Sequence, residues 1–224
     1  MNYEQHFQRS SEIRNEYWQQ TGTPFSDVIG SMINPTFLGG PKWPSLRQAH
    51  IGINTDNETI IATDGLSDPY DDYDTNSENQ TYNGIGLELY AISGNKYEDI
   101  QQVIDSWEFK VIRRASNIAA ANPNISYTIN DYTYISTTID SSELPEYFVN
   151  EDEEVGILLG LKNNSISDSL KLSIEEIALV NITHLTPKEL AYILENGAEG
   201  RNKVAELLTN KNFHKLTSQR ESVI

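Results

Sequence analysis

The residues best suited to chemistry lie between Ile60 and Ile92. Within this stretch, Gly65-Leu66-Ser67-Asp68-Pro69 resembles the start of a nucleophile elbow, which presents a serine on a sharp turn between a strand and a helix. Pro69 stands where the last glycine of that motif belongs, and no helical pattern follows it. None of the four histidines has a spacing that marks it as a base for Ser67; they are His6, His50, His184 and His214. A serine hydrolase is therefore not predicted.

Phosphate-binding motifs are also missing from the sequence. There is no Gly-x-x-x-x-Gly-Lys-Ser/Thr. Gly84-Ile85-Gly86-Leu87-Glu88-Leu89 has two of the three glycines of a dinucleotide-binding loop, but Leu89 stands at the third position. The pattern that follows is that of a strand rather than a helix. We expect neither a dinucleotide nor any other cofactor.

The acidic loop of the same stretch has some features of a calcium site. Asp72, Asp74 and Asn76 occupy the first, third and fifth positions of an EF-hand-like loop. However, Ser77 stands where the sharp turn needs glycine, and Asn83 stands where the bidentate glutamate belongs. We predict a solvated acidic loop and no metal site, with adventitious calcium binding as the alternative.

Three carboxylates, those of Asp64, Asp68 and Glu88, could supply a general acid and a general base. Such chemistry depends on the distance between the groups, which the sequence does not give. A carboxylate-based enzyme of hydrolase type, with or without a metal, is therefore an alternative function. It requires these side chains to converge in a pocket with raised pKa values.

The elements that position these residues form a strand, loop, strand unit. An apolar β-branched run enters the Gly/Ser/Asp/Pro turn, a long acidic loop follows, and Gly84 and Gly86 open the second strand. Ser67 and Asp64 are expected to bond backbone groups of the turn. Upstream, Ala49 to Asn54 and Thr59 to Ala62 predict a strand pair, joined by a turn of suitable residue types.

Three helical patterns flank this unit. Residues 3 to 20 gather apolar side chains in one arc, and Lys96 to Ala121 has the strongest helical pattern, ended by Asn122-Pro123-Asn124. Near the C terminus, Thr186-Pro187-Lys188-Glu189 has the residues of an N-cap and capping box. Gly197 is expected to end that helix, and a second one follows it.

The remaining patterns are those of strands and of one rigid loop. Ile125 to Ile139 alternates and is rich in Tyr, Thr and Ile, which predicts strands with a turn at Asn130-Asp131. Val155 to Leu161 is apolar enough for a central strand. Leu170 to Ser173 and Ile177 to Ile182 are further strand candidates. Trp43 lies in a loop dense in glycine and proline, where a core plug is favoured over a ligand contact.

The composition limits the function classes. Without cysteine, the chain can form neither disulfides, a thiol nucleophile nor a Cys-ligated zinc site. We expect a single domain over residues 1–210 with a polar tail at 211–224. The N-terminal residues lack the features of a signal peptide, and no apolar run has the length of a membrane span, so a cytoplasmic location is predicted.

The net charge of −17 is concentrated in two windows without basic residues. Nine acids lie between Arg47 and Lys96, and eight lie between Arg114 and Lys162. A field of this sign repels phosphate backbones and attracts a basic protein, provided that the two windows meet on one face. Nucleic acid and membrane are therefore not expected as partners. Solubility alone is the alternative explanation.

Three segments together resemble the Suppressor of Fused family in its short bacterial form: Trp43-Pro44-Ser45, Ile61 to Asp72, and Gly84 to Tyr90. The family's hallmark is a Gly-Leu-Ser-Asp turn followed, after a variable loop, by a Gly-aromatic/aliphatic-Gly-aliphatic-Glu-Leu strand. Both halves are present in order. The passage from Ile182 to Leu190 is also similar, so the resemblance covers about residues 40 to 210.

The resemblance implies an α+β fold whose mixed, largely antiparallel sheet is flanked by helices, with a helical C terminus. It implies protein binding rather than catalysis. In the eukaryotic relative, a transcription-factor segment adds a strand beside the motif and uses its acidic positions, which match Asp68 and Glu88 here. This chain is too short to include the eukaryotic second domain, so that partner is not transferred. Bacterial members include immunity proteins that neutralise toxin domains.

We therefore predict a cytoplasmic protein-binding module, and specifically an immunity protein that neutralises a basic toxin domain through an acidic face. The oligomeric state stays open. Substitution of Asp68 or Glu88 by lysine is expected to weaken binding of the partner strongly and to leave the fold intact. The residues predicted to contact the partner are Trp43, Asp64, Asp68, Tyr70, Asp71, Asp72 and Glu88.

Overall fold

The computed structural model describes residues 2–30, 35–44, 47–69 and 83–224. The helices are α1 (Tyr3–Thr21), α2 (Ile100–Asp105), α3 (Trp107–Ala121), α4 (Ile125–Tyr132) and α5 (Pro187–Asn210). The strands are β1 (Thr23–Pro24), β2 (Ile29–Gly30), β3 (Ala49–Asn54), β4 (Thr59–Asp64), β5 (Leu87–Ile92), β6 (Ile135–Asp140), β7 (Glu154–Leu159), β8 (Ser169–Lys171) and β9 (Glu176–His184). Short 3₁₀ helices span Pro35–Leu38 and Glu146–Phe148.

These strands form one sheet in the order β1-β3-β4-β5-β9-β7-β6, with β2 beside β3 and β8 beside β9. The central pair, β5 and β9, is parallel, and the other described pairs are antiparallel. The mixed, largely antiparallel sheet with flanking helices and a helical C terminus is therefore confirmed.

The central strands are buried on both sides because helices cover both faces of the sheet. Leu87 and Leu89 of β5 belong to the core that includes Val111 of α3. Side chains alternate along a strand, so Glu88 and Tyr90 point to the opposite face. There, Tyr90 packs edge-on against Trp18 of α1, with ring centroids 6.5 Å apart. This alternation places the carboxylate of Glu88 beneath α1.

The predicted strands β3, β4, β5, β7, β8 and β9 and the first helix are confirmed within a few residues. The long helix predicted from Lys96 is shorter and broken. It begins at Ile100, after Asp99 caps it, and it stops at Ser106. The Ser106 hydroxyl accepts a hydrogen bond from Phe109 N at 3.1 Å and so starts α3. Two N-caps that the apolar periodicity does not reveal account for the difference.

The prediction of strands throughout Ile125 to Ile139 is wrong in its first half, which forms α4. Ile125 and Ile129 are both buried and lie one helical turn apart. Burial of this helical face outweighs the β propensity of the Tyr and Thr residues. Thr133, at φ 65°, ends the helix, and only Ile135–Asp140 becomes a strand.

At the C terminus, the predicted capping box of Thr186 and Glu189 is present. Gly197 interrupts α5 with φ 58° and ψ −135°, as the sequence predicts. Residues 211–224, separated in the sequence as a polar tail, pack against the domain: Leu216 is fully buried and exchanges backbone hydrogen bonds of 2.8 Å with Ile92 and Gly94. No described helix has the length and apolar character needed to cross a membrane.

Candidate functional site

Arg14 of α1 connects the residues that the sequence singles out. Its Nε donates to Asp64 Oδ1 at 2.7 Å, its Nη2 donates to Asp68 Oδ1 at 2.5 Å, and its Nη1 donates to Ser67 Oγ at 3.0 Å. The side chain is 1% exposed. A guanidinium suits this position because its planar fork can donate in several directions at once. We call Arg14, Arg47, Asp64, Ser67, Asp68 and Glu88 the Arg14 network.

Glu88 accepts hydrogen bonds from the turn that follows β4. Its Oε1 accepts from Ser67 Oγ at 2.6 Å, from Ser67 N at 3.0 Å and from Gly65 N at 3.1 Å. Its Oε2 accepts from the Thr63 hydroxyl. The Gly-Leu-Ser-Asp turn is thus wrapped around a buried carboxylate. Ser67 and Asp64 bond side chains, rather than the backbone groups predicted for them.

Two glycines permit this close packing. A Cβ on Gly65 would lie 2.4 Å from Arg47 O, which only glycine avoids. Gly84 has φ 51°, and a Cβ there would lie 2.2 Å from Leu66 O. The backbone also joins the two halves of the motif, because Ile85 N donates to Leu66 O at 2.9 Å. The glycine spacing therefore serves the approach of two loops and not a phosphate group.

Arg47 adds a second cation at the edge of the network. Its Nη2 lies 2.7 Å from Asp64 Oδ1, its Nε lies 3.4 Å from Asp68 Oδ2, and its side chain is 31% exposed. Burial alone would lower the pKa of Arg14, but the charges of Asp64, Asp68 and Glu88 raise it. Burial raises the pKa of Glu88, against the opposing effect of Arg14. Three acids thus share two guanidinium groups in the protein interior.

The three carboxylates of the enzyme hypothesis therefore converge, and the pKa of Glu88 is raised, as that hypothesis requires. Cavities of about 360 to 580 Å³ open at five places on the described residues, and none of these five is lined by Asp64, Asp68 or Glu88. No group of three His, Asp or Glu side chains among the described residues is arranged to hold a metal. None of these five cavities on the described residues therefore combines a substrate site with the three carboxylates.

The same burial bears on partner contact. Asp64, Asp68, Glu88 and Trp43 are each at most 2% exposed, so their side chains are buried away from a partner in this structure. Trp43 occupies a core position, as the favoured interpretation predicts. Tyr70, Asp71 and Asp72 lie outside the described residues, as does the calcium-like loop. Their contact with a partner stays a prediction.

The acidic windows are also partly neutralised within the fold. In the first window, Asp64, Asp68 and Glu88 belong to the Arg14 network. In the second, Asp140 pairs with Arg114 at 3.1 Å and Glu143 pairs with Lys110 at 2.5 Å, both bases lying on α3. The acids counted in the two base-free windows therefore overestimate the local negative charge at the surface, because bases from outside the windows lie beside five of them.

Sequence patterns do not reveal Arg14, which is the most connected member of the network. It lies one helical turn before Trp18 and one turn after Ser10, and these three are the buried residues of α1. Apolar periodicity cannot reveal a buried arginine, because its charge marks it as a solvent residue. The one available signal is the i, i+4 spacing to Trp18 on a helix with few apolar residues.

Asn83, the first described residue after the acidic loop, has a structural role that the sequence patterns do not reveal. Its amide donates to Ser10 Oγ at 3.0 Å, and its Oδ1 accepts from Ile174 N and Glu175 N at 3.2 and 3.1 Å. Ser10 Oγ in turn lies 2.8 Å from Ser173 Oγ. Asn83 thereby ties α1 and the β8–β9 turn to the start of the Gly84–Gly86 segment.

Neither a known family model nor a curated protein matches the sequence. Solved structures are similar. A chain of the Sufu–Fu complex crystal structure matches with a TM-score of 0.54 and 13% identity, over 97% of this chain and 92% of that one. Drosophila Suppressor of Fused matches with a TM-score of 0.58 and 12% identity over 97% of this chain, which spans 51% of that protein. The resemblance first seen in the Gly-Leu-Ser-Asp and Gly-Ile-Gly-Leu-Glu-Leu segments thus extends over the fold, and the chain has the fold of Suppressor of Fused.

Proposed function

We propose that this chain is a protein-binding module that acts in the cytoplasm. The observation that carries the proposal is the match of 97% of the chain to Suppressor of Fused structures, one of which is a complex with Fu. The location of the carboxylates supports it indirectly. They are held by Arg14 and Arg47 in the interior, which suits a rigid scaffold better than acid–base catalysis.

We assign partner contact to the segment 70–82, which carries Tyr70, Asp71 and Asp72. The residues on both sides of it are fixed. Asp68 is bound by Arg14, and Asn83 is bound by α1 and the β8–β9 turn. In this proposal Asp64, Asp68, Glu88 and Trp43 stay buried in the interior and do not contact the partner. Tyrosine and carboxylate side chains supply contact area and orientation at protein interfaces.

The partner that fits best is a basic protein. The chain has a net charge of −17, and four acids lie between Tyr70 and Tyr82 without a basic residue. Opposite charge speeds association and orients the partners. Within this class we propose a toxin domain, which would make the chain an immunity protein. Net charge supports the basic character of the partner, and the resemblance to the short bacterial form of the family motivates the toxin identification.

The test begins with capture of partners from the native cell on the immobilised protein, followed by mass spectrometry. Capture at about 0.15 M salt that is lost near 1 M is expected, because exposed charges are screened at high ionic strength. Repeated capture of no protein at low salt would contradict the proposal. For a captured protein, growth arrest on expression, relieved by coexpression of this chain, tests the toxin identification separately.

A matched pair of charge reversals locates the contact. The double variant Asp71→Lys with Asp72→Lys is expected to lower the affinity for the captured protein at least tenfold, or about 1.4 kcal/mol in binding free energy. The control, Glu151→Lys with Asp152→Lys, reverses the same charge at exposed positions before β7 and is expected to change the affinity much less. Calorimetric titration measures both. Equal effects of the two double variants would show that net charge, and not the segment 70–82, governs binding.

A further inference from the structure

Residues 213–224, the C-terminal arm, dock on the domain in the manner of an extended peptide. The arm contains no helical residue. Leu216 N donates to Ile92 O and Gly94 N donates to Leu216 O, both at 2.8 Å, so the arm forms a parallel bridge beside the end of β5. The side chain of Leu216 is fully buried. Backbone bonds together with a buried side chain are the way in which a sheet accepts an added peptide strand.

Glu189, in the first turn of α5, is the second anchor of the arm. Its carboxylate is fully buried. Thr186 N donates to it at 2.8 Å as part of the capping box. Three more hydrogen bonds come from the arm: Arg220 Nη1 and Nη2 each donate at 2.6 Å, and Val223 N donates at 2.8 Å. Glu189 is therefore a buried receptor for a guanidinium, which binds a carboxylate through two parallel bonds.

The charges of the arm and of the groove beneath it are complementary. The lysine and the arginine of the arm each face an acid of the domain: Lys215 pairs with Glu58, and Arg220 pairs with Glu189. Arg220 Nη2 also donates to a backbone carbonyl at the end of β9, that of His184, at 2.8 Å. The groove thus favours a segment that is both extended and basic.

An exposed turn at Lys211 and Asn212 joins the arm to α5. Asn212 has φ 59°, a left-handed conformation that asparagine adopts more readily than most residues. Since α5 ends at Asn210, rotation about this turn would lift the arm without unwinding the helix. The turn is therefore placed to act as a hinge.

We propose that the groove under the C-terminal arm is a binding site for an extended, arginine-bearing segment of another protein, and that the arm occupies it in cis as an autoinhibitory contact. The arginine of the incoming segment pairs with Glu189. An apolar residue four positions before it takes the place of Leu216 beside β5. That the basic partner supplies this segment rests on the proposed function; the groove and its preference for arginine do not.

A fluorescein-labelled peptide of residues 213–224 tests the groove without any partner. The receptor is the full chain carrying Leu216→Asn and Arg220→Met, which weaken docking of its own arm and leave Glu58, Glu189 and β5 unchanged. We expect the fluorescence anisotropy of the peptide to rise saturably with this variant. Binding to the unmodified chain should be at least tenfold weaker, because its arm competes.

Two altered peptides form a matched pair. The peptide with Arg220→Met is expected to bind at least tenfold more weakly than the unmodified peptide. The peptide with Gln219→Met, changed at an exposed position, should bind as the unmodified peptide does. On the receptor, Glu189→Gln keeps a residue type that completes a capping box and should lower the affinity for the unmodified peptide at least tenfold.

Circular dichroism and the fluorescence of Trp18 and Trp43 check that the receptor is folded. If the double variant does not fold, the unmodified chain with a specific protease site inserted after Lys211 replaces it: the chain folds intact, is cleaved, and exchanges its arm for the labelled peptide. The proposal is overturned if a folded receptor neither binds nor exchanges the peptide, or if the Arg220→Met peptide binds as tightly as the unmodified one. Peptide binding without any captured partner would support the groove and count against the proposed function.

Discussion

Replacement of Arg14 by methionine tests whether the Arg14 network holds the fold together. Methionine keeps the length of the side chain and removes the guanidinium. Asp64 and Asp68 then lose hydrogen bonds of 2.7 and 2.5 Å, and Arg47 is their remaining cation. Removal of one partner from a buried ion pair costs about 3 to 5 kcal/mol. Since Arg47 stays in place, we expect a loss of about 3 kcal/mol in the free energy of unfolding.

The assay is urea unfolding at pH 7, followed by the fluorescence of the buried Trp18 and Trp43. The control is Arg9→Met on the same helix, where the side chain is 47% exposed and pairs with Glu12 at 3.3 Å. This control is expected to change stability by less than about 1 kcal/mol, since exposed ion pairs contribute little. An Arg14→Met variant as stable as Arg9→Met would refute the reasoning.

The pH dependence provides a second readout for the same variant. Burial raises the pKa of Glu88, and Arg14 opposes that rise. Without Arg14 the pKa rises further, so the folded variant takes up a proton at a pH where the unfolded chain, with a pKa near 4.5, does not. Stability then increases as the pH falls toward 4.5. The loss in free energy of unfolding caused by Arg14→Met should therefore be smaller at pH 5 than at pH 7. A larger loss at pH 5 than at pH 7 would contradict this account.

Three further predictions concern other parts of the fold. Gly84→Ala should lower the free energy of unfolding in urea at least twice as much as Gly197→Ala does. Both glycines have positive φ, but of the two only Gly84 has backbone atoms within 3 Å of the added Cβ. Equal losses of stability in the two variants would exclude the steric contact as the cause. The pKa of His50 is lowered from 6.5 to about 4. The folded state therefore favours the neutral ring, and this preference contributes at most about 3 kcal/mol to the free energy of unfolding. The contribution is fully present above pH 6.5 and is lost as the pH falls to 4. His50→Gln should flatten the stability profile in that window, and an unchanged profile would assign the dependence to other groups. Arg220→Met breaks a buried bidentate pair with Glu189, whose two contacts are 2.6 Å, and should cost about 3 kcal/mol and expose residues 211–224 to proteolysis. A protease-resistant C terminus would show that the other contacts of the segment, such as those of Leu216 and Val223, are sufficient to hold it.

The burial of the acidic motif residues changes how their variants should be interpreted. From the sequence alone, Asp68→Lys and Glu88→Lys are expected to weaken binding of a partner and to leave the fold intact. Both carboxylates are at most 1% exposed, and a lysine there would place a cation beside Arg14. We now expect these variants to destabilise the fold, so lost binding would not locate an interface. The charge reversals at Asp71 and Asp72 avoid this ambiguity.

Much of the architecture follows from local signals. The capping box at Thr186, the turn between β3 and β4, and the strand that Gly84 and Gly86 open are each encoded within about ten residues. Local signals fail where two preferences compete. Ile125 to Tyr132 has β-type residues but buries Ile125 and Ile129 as a helix, and that choice depends on contacts with the rest of the core.

The sequence by itself determined the Gly-Leu-Ser-Asp and Glu88 motif pair, the absence of cysteine chemistry and the family whose fold the chain shares. Only the tertiary structure decided what the motif does. Arg14 lies 50 residues before Asp64 and 54 before Asp68, and no local pattern links a charged helix residue to a distant turn. The sheet brings Glu88 beneath α1, and burial then requires its charge and those of both aspartates to be compensated. Asp64, Asp68 and Glu88, which the sequence presents as part of a binding face, therefore belong in the folded protein to an internal ion-pair network.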